Sequence, residues 1–272
     1  MFNDFDAVGR IIRDVAEREV MPRFGKLRPS DIAQKGHKYD LVTIADTESE
    51  RALTDALVKL CPDSVIVGEE GASADARVLA RLQEQRLVWL LDPVDGTQNF
   101  AKTKDYFAVI VALCAPEGII AGWILDPISN TLVWAGKGKG AWVDDGVSQT
   151  PLTLGPAKTL EQLRGSVDYR SAKRLKSERE AGLSPLPHTV PRQGCTGREY
   201  MDLARGTLDY AQYRRLKPWD HAAGVLIHGE AGGFARLREG KALYRPANGI
   251  VEETILLAPD EDTWDALASI LR

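Results

Sequence analysis

Residues 89–100 read WLLDPVDGTQNF. An apolar run ends in two carboxylates, Asp92 and Asp95, with Pro93 and Val94 between them and Gly96 and Thr97 directly after. Pro93 fixes one backbone dihedral, so both carboxylates can converge on one point together with the main-chain carbonyl of Val94. Like charges placed together repel unless something positive lies between them. Several hard oxygens aimed at one place suit Mg²⁺, which binds through a few carboxylates and keeps waters for substrate phosphate. Gly96 has no side chain to bar an oxyanion from the main chain. A helix opening at Thr97 would turn its N–H groups toward phosphate.

The chain around this stretch has 272 residues, enough for one large domain or two subdomains sharing a core. Apolar residues make up 44% and charged residues 27%, as in a soluble globular protein. The formal net charge of −4 favours neither nucleic acid nor an anionic membrane. No basic-aromatic stripe is present, so direct nucleic-acid binding is not expected. No apolar run approaches the roughly 20 residues that span a bilayer. The first twenty residues carry acids early and charges throughout, unlike a signal peptide. Cys61, Cys114 and Cys195 are odd in number and dispersed, which argues against a thiolate zinc cluster and for reduced thiols in the cytoplasm. His37, His188, His221 and His228 form no HxxxH or HExxH pattern, so a metal site must be built from oxygen.

Hydrophobic periodicity predicts an opening helix through Phe5, Val8, Ile11, Ile12 and Val15, then a second helix capped by Asp46 or Thr47. SVIVGEE (64–70) and RLVWLL (86–91) read as strands, with a helix over about 75–85. Short strands broken by Pro, Gly, Asn and Asp follow from Tyr106 to about Val147, the pattern of an antiparallel meander. Beyond a seam near 150 the chain alternates again. A strand near 163–168, helices near 171–181 and 196–205, a strand at 208–213, a helix from Pro218, two more strands and a capped C-terminal helix are expected. The domain reading is an N-terminal α+β unit, 1–150, and a C-terminal α/β unit, 151–272. Trp89, Trp123, Trp134, Trp142 and Trp264 are expected in the core, and His221 and His228 in packing or surface positions.

Acidic residues stand at strand ends or helix starts at four stations: Asp46, Glu69 with Glu70, Asp92 with Asp95, and Asp220 in KPWDHAAG. Singly, Asp46 and Asp220 read as helix caps and the Glu pair as a solvated strand end. Together, VGEE, DPVDGTQNF, PWDHAAG and EAGG in that order, preceded by DLVTIAD at 40–46, resemble the inositol monophosphatase family of Mg²⁺-dependent, lithium-sensitive phosphatases. The resemblance covers nearly the whole chain. It implies an α+β fold, an alternating α-β-α-β-α layered sandwich, usually as a homodimer.

The resemblance also assigns roles. Glu69, Asp92 and the Val94 carbonyl would hold a first Mg²⁺, and Asp92, Asp95 and Asp220 a second. A third ion near Glu69 would be mostly water-bound, with Mn²⁺ an alternative metal. Asp46 and Thr97 would orient and help deprotonate the attacking water, and Asp95, Gly96 and Thr97 would seat the phosphate. Four carboxylates against two Mg²⁺ leave a near-neutral site able to accept a dianionic phosphate, and two metals stabilise both attacking and leaving oxygens. The substrate is a small phosphate monoester, with inositol 1-phosphate ranked first and histidinol phosphate second. A 3′-phosphoadenosine 5′-phosphate or fructose 1,6-bisphosphate reading ranks lower, and a non-enzymatic regulatory binding protein is the alternative from another class. The substrate rim is expected at Cys195, Thr196, Tyr213, Arg214 and Asp220. There the chain departs from the pattern. Tyr213 stands seven residues before Asp220, where inositol-hydrolysing members carry a glutamate, and GCTG (194–197) replaces GSAA.

Overall fold

The computed structural model describes residues 2–36, 41–156 and 158–271. His37, and Asp40 at the start of the 40–46 motif, lie outside them. Helix α1 (Phe5–Val15) continues as a π turn through Val20, and a short antiparallel pair, β1 (Ile32–Gln34) and β2 (Leu41–Thr43), leads into α2 (Ile44–Leu60). The cap of α2 is Thr43, not Asp46 or Thr47. The Thr43 hydroxyl accepts from the Ala45 N–H, while Asp46 in the first turn reaches back to the Thr43 N–H at 2.8 Å and its hydroxyl at 2.6 Å. That reciprocal arrangement is a capping box.

Strand β3 (Val65–Gly68) runs into the short helix α3 (Glu69–Ala74), and a 3₁₀ segment rather than an α-helix occupies Ala76–Gln83. Strand β4 (Val88–Asp95) carries both motif aspartates and passes to α4 (Thr97–Ala101) through Gly96. The expected meander follows as β5 (Ala108–Ala115), β6 (Gly118–Asp126), β7 (Thr131–Gly136), β8 (Ala141–Asp144) and β9 (Gln149–Leu152). Strands β3 to β9 lie side by side in chain order; β3 and β4 are parallel and every later pair antiparallel.

The remaining chain forms β10 (Arg164–Ser166), α5 (Tyr169–Glu180), β11 (His188–Val190), α6 (Thr196–Ala204), β12 (Tyr210–Leu216), α7 (Pro218–Glu230), β13 (Phe234–Leu237), β14 (Val251–Ala258) and α8 (Glu261–Ile270). Its strands make a second sheet in the order β11-β10-β12-β14-β13.

The strand periodicity of two decides the layers. On β4, Trp89 and Leu91 join a core with Val8 and Ile12 of α1 and Leu53 and Leu57 of α2. Val88 and Leu90 point the other way, into a core with Tyr200 and Met201 of α6 and Ala222 and Ala223 of α7. On β14, Ile255 and Leu257 enter that same middle core, while Leu256 and Ala258 pack with Leu175 of α5 and Trp264 and Leu267 of α8. The result is the α-β-α-β-α sandwich. Burying a large apolar side chain is worth about 1.5–3 kcal/mol, so the three apolar layers supply the main drive to this arrangement. Trp89, Trp123 and Trp264 are buried as expected, whereas Trp134 and Trp142 are half-buried and stack on each other at 6.1 Å. His221 and His228 are buried, held neutral with pKa values lowered by burial to about 3 and about 4.

Candidate active site

The sandwich brings three element ends to one place: the start of α3, the end of β4 and the first turn of α7. Pro218 opens α7, where its missing N–H costs nothing, and sets Asp220 in that first turn. Pairing of β4 with β5 shifts register between Asp92 and Asp95, so Pro93 and Val94 sit where the ladder is interrupted. Glu69, Asp92 and Asp220 each offer an oxygen, all within 4.8 Å of one another. Asp220 Oδ1 and Asp92 Oδ1 are shielded from solvent and lack a hydrogen-bond partner among the described residues. Buried carboxylate oxygens without partners are costly, and a cation is what these would take up. Burial first, then the neighbouring acids, drives the Asp92 and Asp220 carboxyls well above the usual range; at Asp220, Lys217 works against both.

Asp95 is held differently. Its Oδ2 accepts from the Gly197 N–H at 2.5 Å and the Cys195 thiol at 3.1 Å, which docks the start of α6 onto β4. Burial still raises its pKa to about 6. Gly96 adopts a φ of +89°, and a Cβ there would lie 3.1 Å from both the Tyr106 carbonyl oxygen and Cys195 Cβ. Only glycine makes this turn at little cost. The Asn99 and Phe100 N–H groups return to the Gly96 carbonyl at 2.8 and 3.0 Å, so α4 starts directly from this turn. Thr97 Oγ1 lies 3.0 Å from Asp46 Oδ1 and 3.0 Å from the Val94 carbonyl oxygen. Burial lifts the Asp46 carboxyl to about 6 against its hydrogen bonds from Thr43 and Thr97.

Two lysines without an assigned role in the sequence reading stand beside the acids. Lys217 Nζ is 2.9 Å from Glu69 Oε1, and Lys35 Nζ is 2.5 Å from Glu70 Oε1 and 3.9 Å from Glu69. Burial nonetheless raises the Glu70 carboxyl to about 7. Glu70 therefore faces Lys35, outside the Glu69–Asp92–Asp220 cluster. Below them Glu50 of α2 accepts the N–H groups of Glu70 and Gly71, each at 2.8 Å. In the sequence Glu50 reads only as an acid in the first turn of the second helix, suited to its dipole.

The cleft above these groups encloses about 390 Å³, with Asp92, Asp95, Gly96, Thr97 and Asp220 in its wall. Part of the expected rim is absent from that wall. Tyr213 is 5% exposed and turned inward, its hydroxyl donating to Glu199 at 3.0 Å. Arg214, on the opposite face of β12, lines a separate cleft with Glu252 and Arg238. Cys195 lies beneath Asp95, 2% exposed, and Thr196 begins α6 beside it. The cleft mouth is instead made by Lys102, Lys104, Arg192 and Gln193.

Residues 6–271 match the sequence profile described as the inositol monophosphatase family. The chain belongs to that family. A relative in Caulobacter vibrioides, named inositol-1-monophosphatase, is 31% identical over 269 residues, spanning 94% of this chain and 96% of the relative. One in Aquifex aeolicus, named fructose-1,6-bisphosphatase/inositol-1-monophosphatase, is 32% identical over 222 residues, with 79% and 78% covered. The fold is that of the solved inositol monophosphatase of Thermotoga maritima, at a TM-score of 0.81, 24% identity and coverage of 99% and 97%. Membership makes this inositol monophosphatase relative a phosphoric monoester hydrolase of a metal-dependent family. Among its described residues no helix is long and apolar enough to cross a membrane.

Proposed function

We propose that this phosphatase hydrolyses a small phosphorylated alcohol with Mg²⁺, inositol 1-phosphate being the first substrate to try. The observation that carries the metal reading is the pair of unpartnered, shielded oxygens on Asp92 and Asp220, within reach of Glu69. Glu69, Asp92, Asp95, Asp220 and the Val94 carbonyl would hold two to three ions, with Mn²⁺ suited to the same oxygens. When bound, such ions polarise phosphoryl oxygens and lower the pKa of a bound water.

The chain's own residues do the rest. Thr97 donates its hydroxyl proton to Asp46, which leaves its lone pairs to accept from a water in the cleft. The Gly96 and Thr97 N–H groups seat the phosphate, and the open turn at Gly96 lets it approach the main chain. Among the described cleft residues there is no cysteine, histidine or serine in the wall, in keeping with direct transfer to water and no phosphoenzyme. The homodimer, lithium sensitivity and a cytoplasmic location belong to the same proposal.

Phosphate release from inositol 1-phosphate, histidinol phosphate, fructose 1,6-bisphosphate and 3′-phosphoadenosine 5′-phosphate, with and without Mg²⁺, tests it. Turnover should require Mg²⁺. Asp95→Asn should lower it by more than about 100-fold, beyond the loss from disturbing an outer-sphere partner. Unchanged turnover in Asp95→Asn would sink the metal assignment, and no turnover of any phosphomonoester would favour a binding protein.

A further inference from the structure

Strand β12 delivers a cation to the edge of the acidic cluster. Its pairing with β14 shifts register between Arg214 and Leu216, and Arg215 there takes a φ of +59°. A left-handed conformation is uncommon for any residue but glycine, and such breaks in a strand recur beside active sites, where they re-aim a side chain. Here the break changes the phase of the strand. Tyr213 enters the middle core, and strict alternation would send Arg215 after it. Leu216 enters instead, while Arg215 stays exposed. Lys217 then emerges in the cleft wall, one residue before the proline that opens α7.

There its Nζ lies 2.9 Å from Glu69 Oε1. The same oxygen is 3.9 Å from Lys35 Nζ, whose nearer partner is Glu70. The ring centroid of buried Trp219 is 5.8 Å from the Lys217 ammonium, within cation–π reach. Glu69 also offers an oxygen to the cluster with Asp92 and Asp220. A third dication beside Glu69, which the family resemblance implies, would meet two ammonium groups at that carboxylate. Like charges so close repel strongly where water is scarce. Charge balance points the same way. The ionised carboxylates of Asp46, Glu69, Asp92, Asp95 and Asp220 equal in charge two Mg²⁺ and Lys217, while Glu70 and Lys35 cancel each other.

We propose that Lys217 is a resident cation standing in for a third metal ion beside Glu69, so that the loaded cleft holds two divalent ions. Unlike a weakly held ion, an ammonium on its own carbon stem is present at every Mg²⁺ concentration. The proposal rests on the metal reading above and fixes the ion count of that same site.

The test counts Mn²⁺ bound to the full chain without substrate, by equilibrium dialysis and metal analysis of the dialysed protein. The unaltered chain should saturate at two ions. Lys217→Gln should take up a third, with a Kd at least about tenfold below that of any weaker binding to the unaltered chain. Lys217→Arg, which keeps the charge, should stay at two. Lys217→Met, equally uncharged, repeats the count should the glutamine variant fail to fold. A third ion held as tightly by the unaltered chain would overturn the proposal. Uncharged variants that stop at two, or an arginine variant that takes a third, would overturn it as well. Fewer than two ions on the unaltered chain would overturn the metal reading and this proposal with it, whereas a third ion leaves that reading standing.

Discussion

Thr97 has one hydroxyl proton and two oxygens at 3.0 Å competing for it, on Asp46 and on the Val94 carbonyl. A cation on the Val94 carbonyl would settle the competition for Asp46, leaving the threonine lone pairs turned to the cleft. Thr97→Val keeps the shape and removes the proton relay. It should lower kcat by about 10²–10³-fold with little change in KM, while Thr97→Ser keeps most of the activity; steady-state kinetics reads both. At this scale the acids were legible because their chemistry is written in spacing: two carboxylates, a proline and a glycine within five positions. Tyr213 and Arg214 were not, because a strand sends neighbours to opposite faces and sequence does not say which face is the cleft. Arg192 sits in an irregular loop, where no period marks the direction of a side chain.

At the scale of elements, α3 matters more than its six residues suggest. Both oxygens of Glu50 are spent on its first N–H groups, and a Cβ on Gly68 would come within 2.3 Å of that carboxylate. Glu69 therefore takes its direction from a side chain on α2. Glu50→Gln offers one carbonyl oxygen and one amide to two donors, so it should weaken Mg²⁺ affinity by about 10-fold or more while leaving the helical signal intact. Calorimetric titration with the metal would show it, and an unchanged affinity would mean that α3 is set by other contacts. Helix and strand identities were readable from periodicity through most of the chain. The exceptions have local causes: Thr43 displaced Asp46 as the cap because Asp46 folds back onto it, and Ala76–Gln83 closed as 3₁₀ turns behind the Asp75 cap.

Across the whole molecule, the buried acids set a pH dependence of known sign. Asp46 and Asp95 titrate near 6 in the fold, against about 3.9 for an ordinary aspartate. Between these values the folded chain holds protons that the unfolded chain has released, so stability from these groups falls as pH rises from about 4 to about 6. The buried, neutral His221 and His228 pull the other way up to about pH 6.5, so the reading is taken as a difference: Mg²⁺ should raise Tm by more at pH 7 than at pH 5. A rise on adding Mg²⁺ that is no larger at pH 7 than at pH 5 would contradict the assignment. The layer order was legible through the resemblance, whereas periodicity alone gave mixed α and β with an antiparallel middle. That the helix from Pro218 closes the site with Asp220 was legible through the resemblance alone, because α7 reaches the acids only after the second sheet has begun.

Asp220 rides on the middle helix while Asp92 belongs to the first sheet, and a shared ion would act as a removable rivet between layers far apart in the chain. A ligand at 100 times its Kd adds about 2.7 kcal/mol to the folded state. The loaded molecule should then outlast the stripped one under limited proteolysis, so that its lifetime reports the free Mg²⁺ around it.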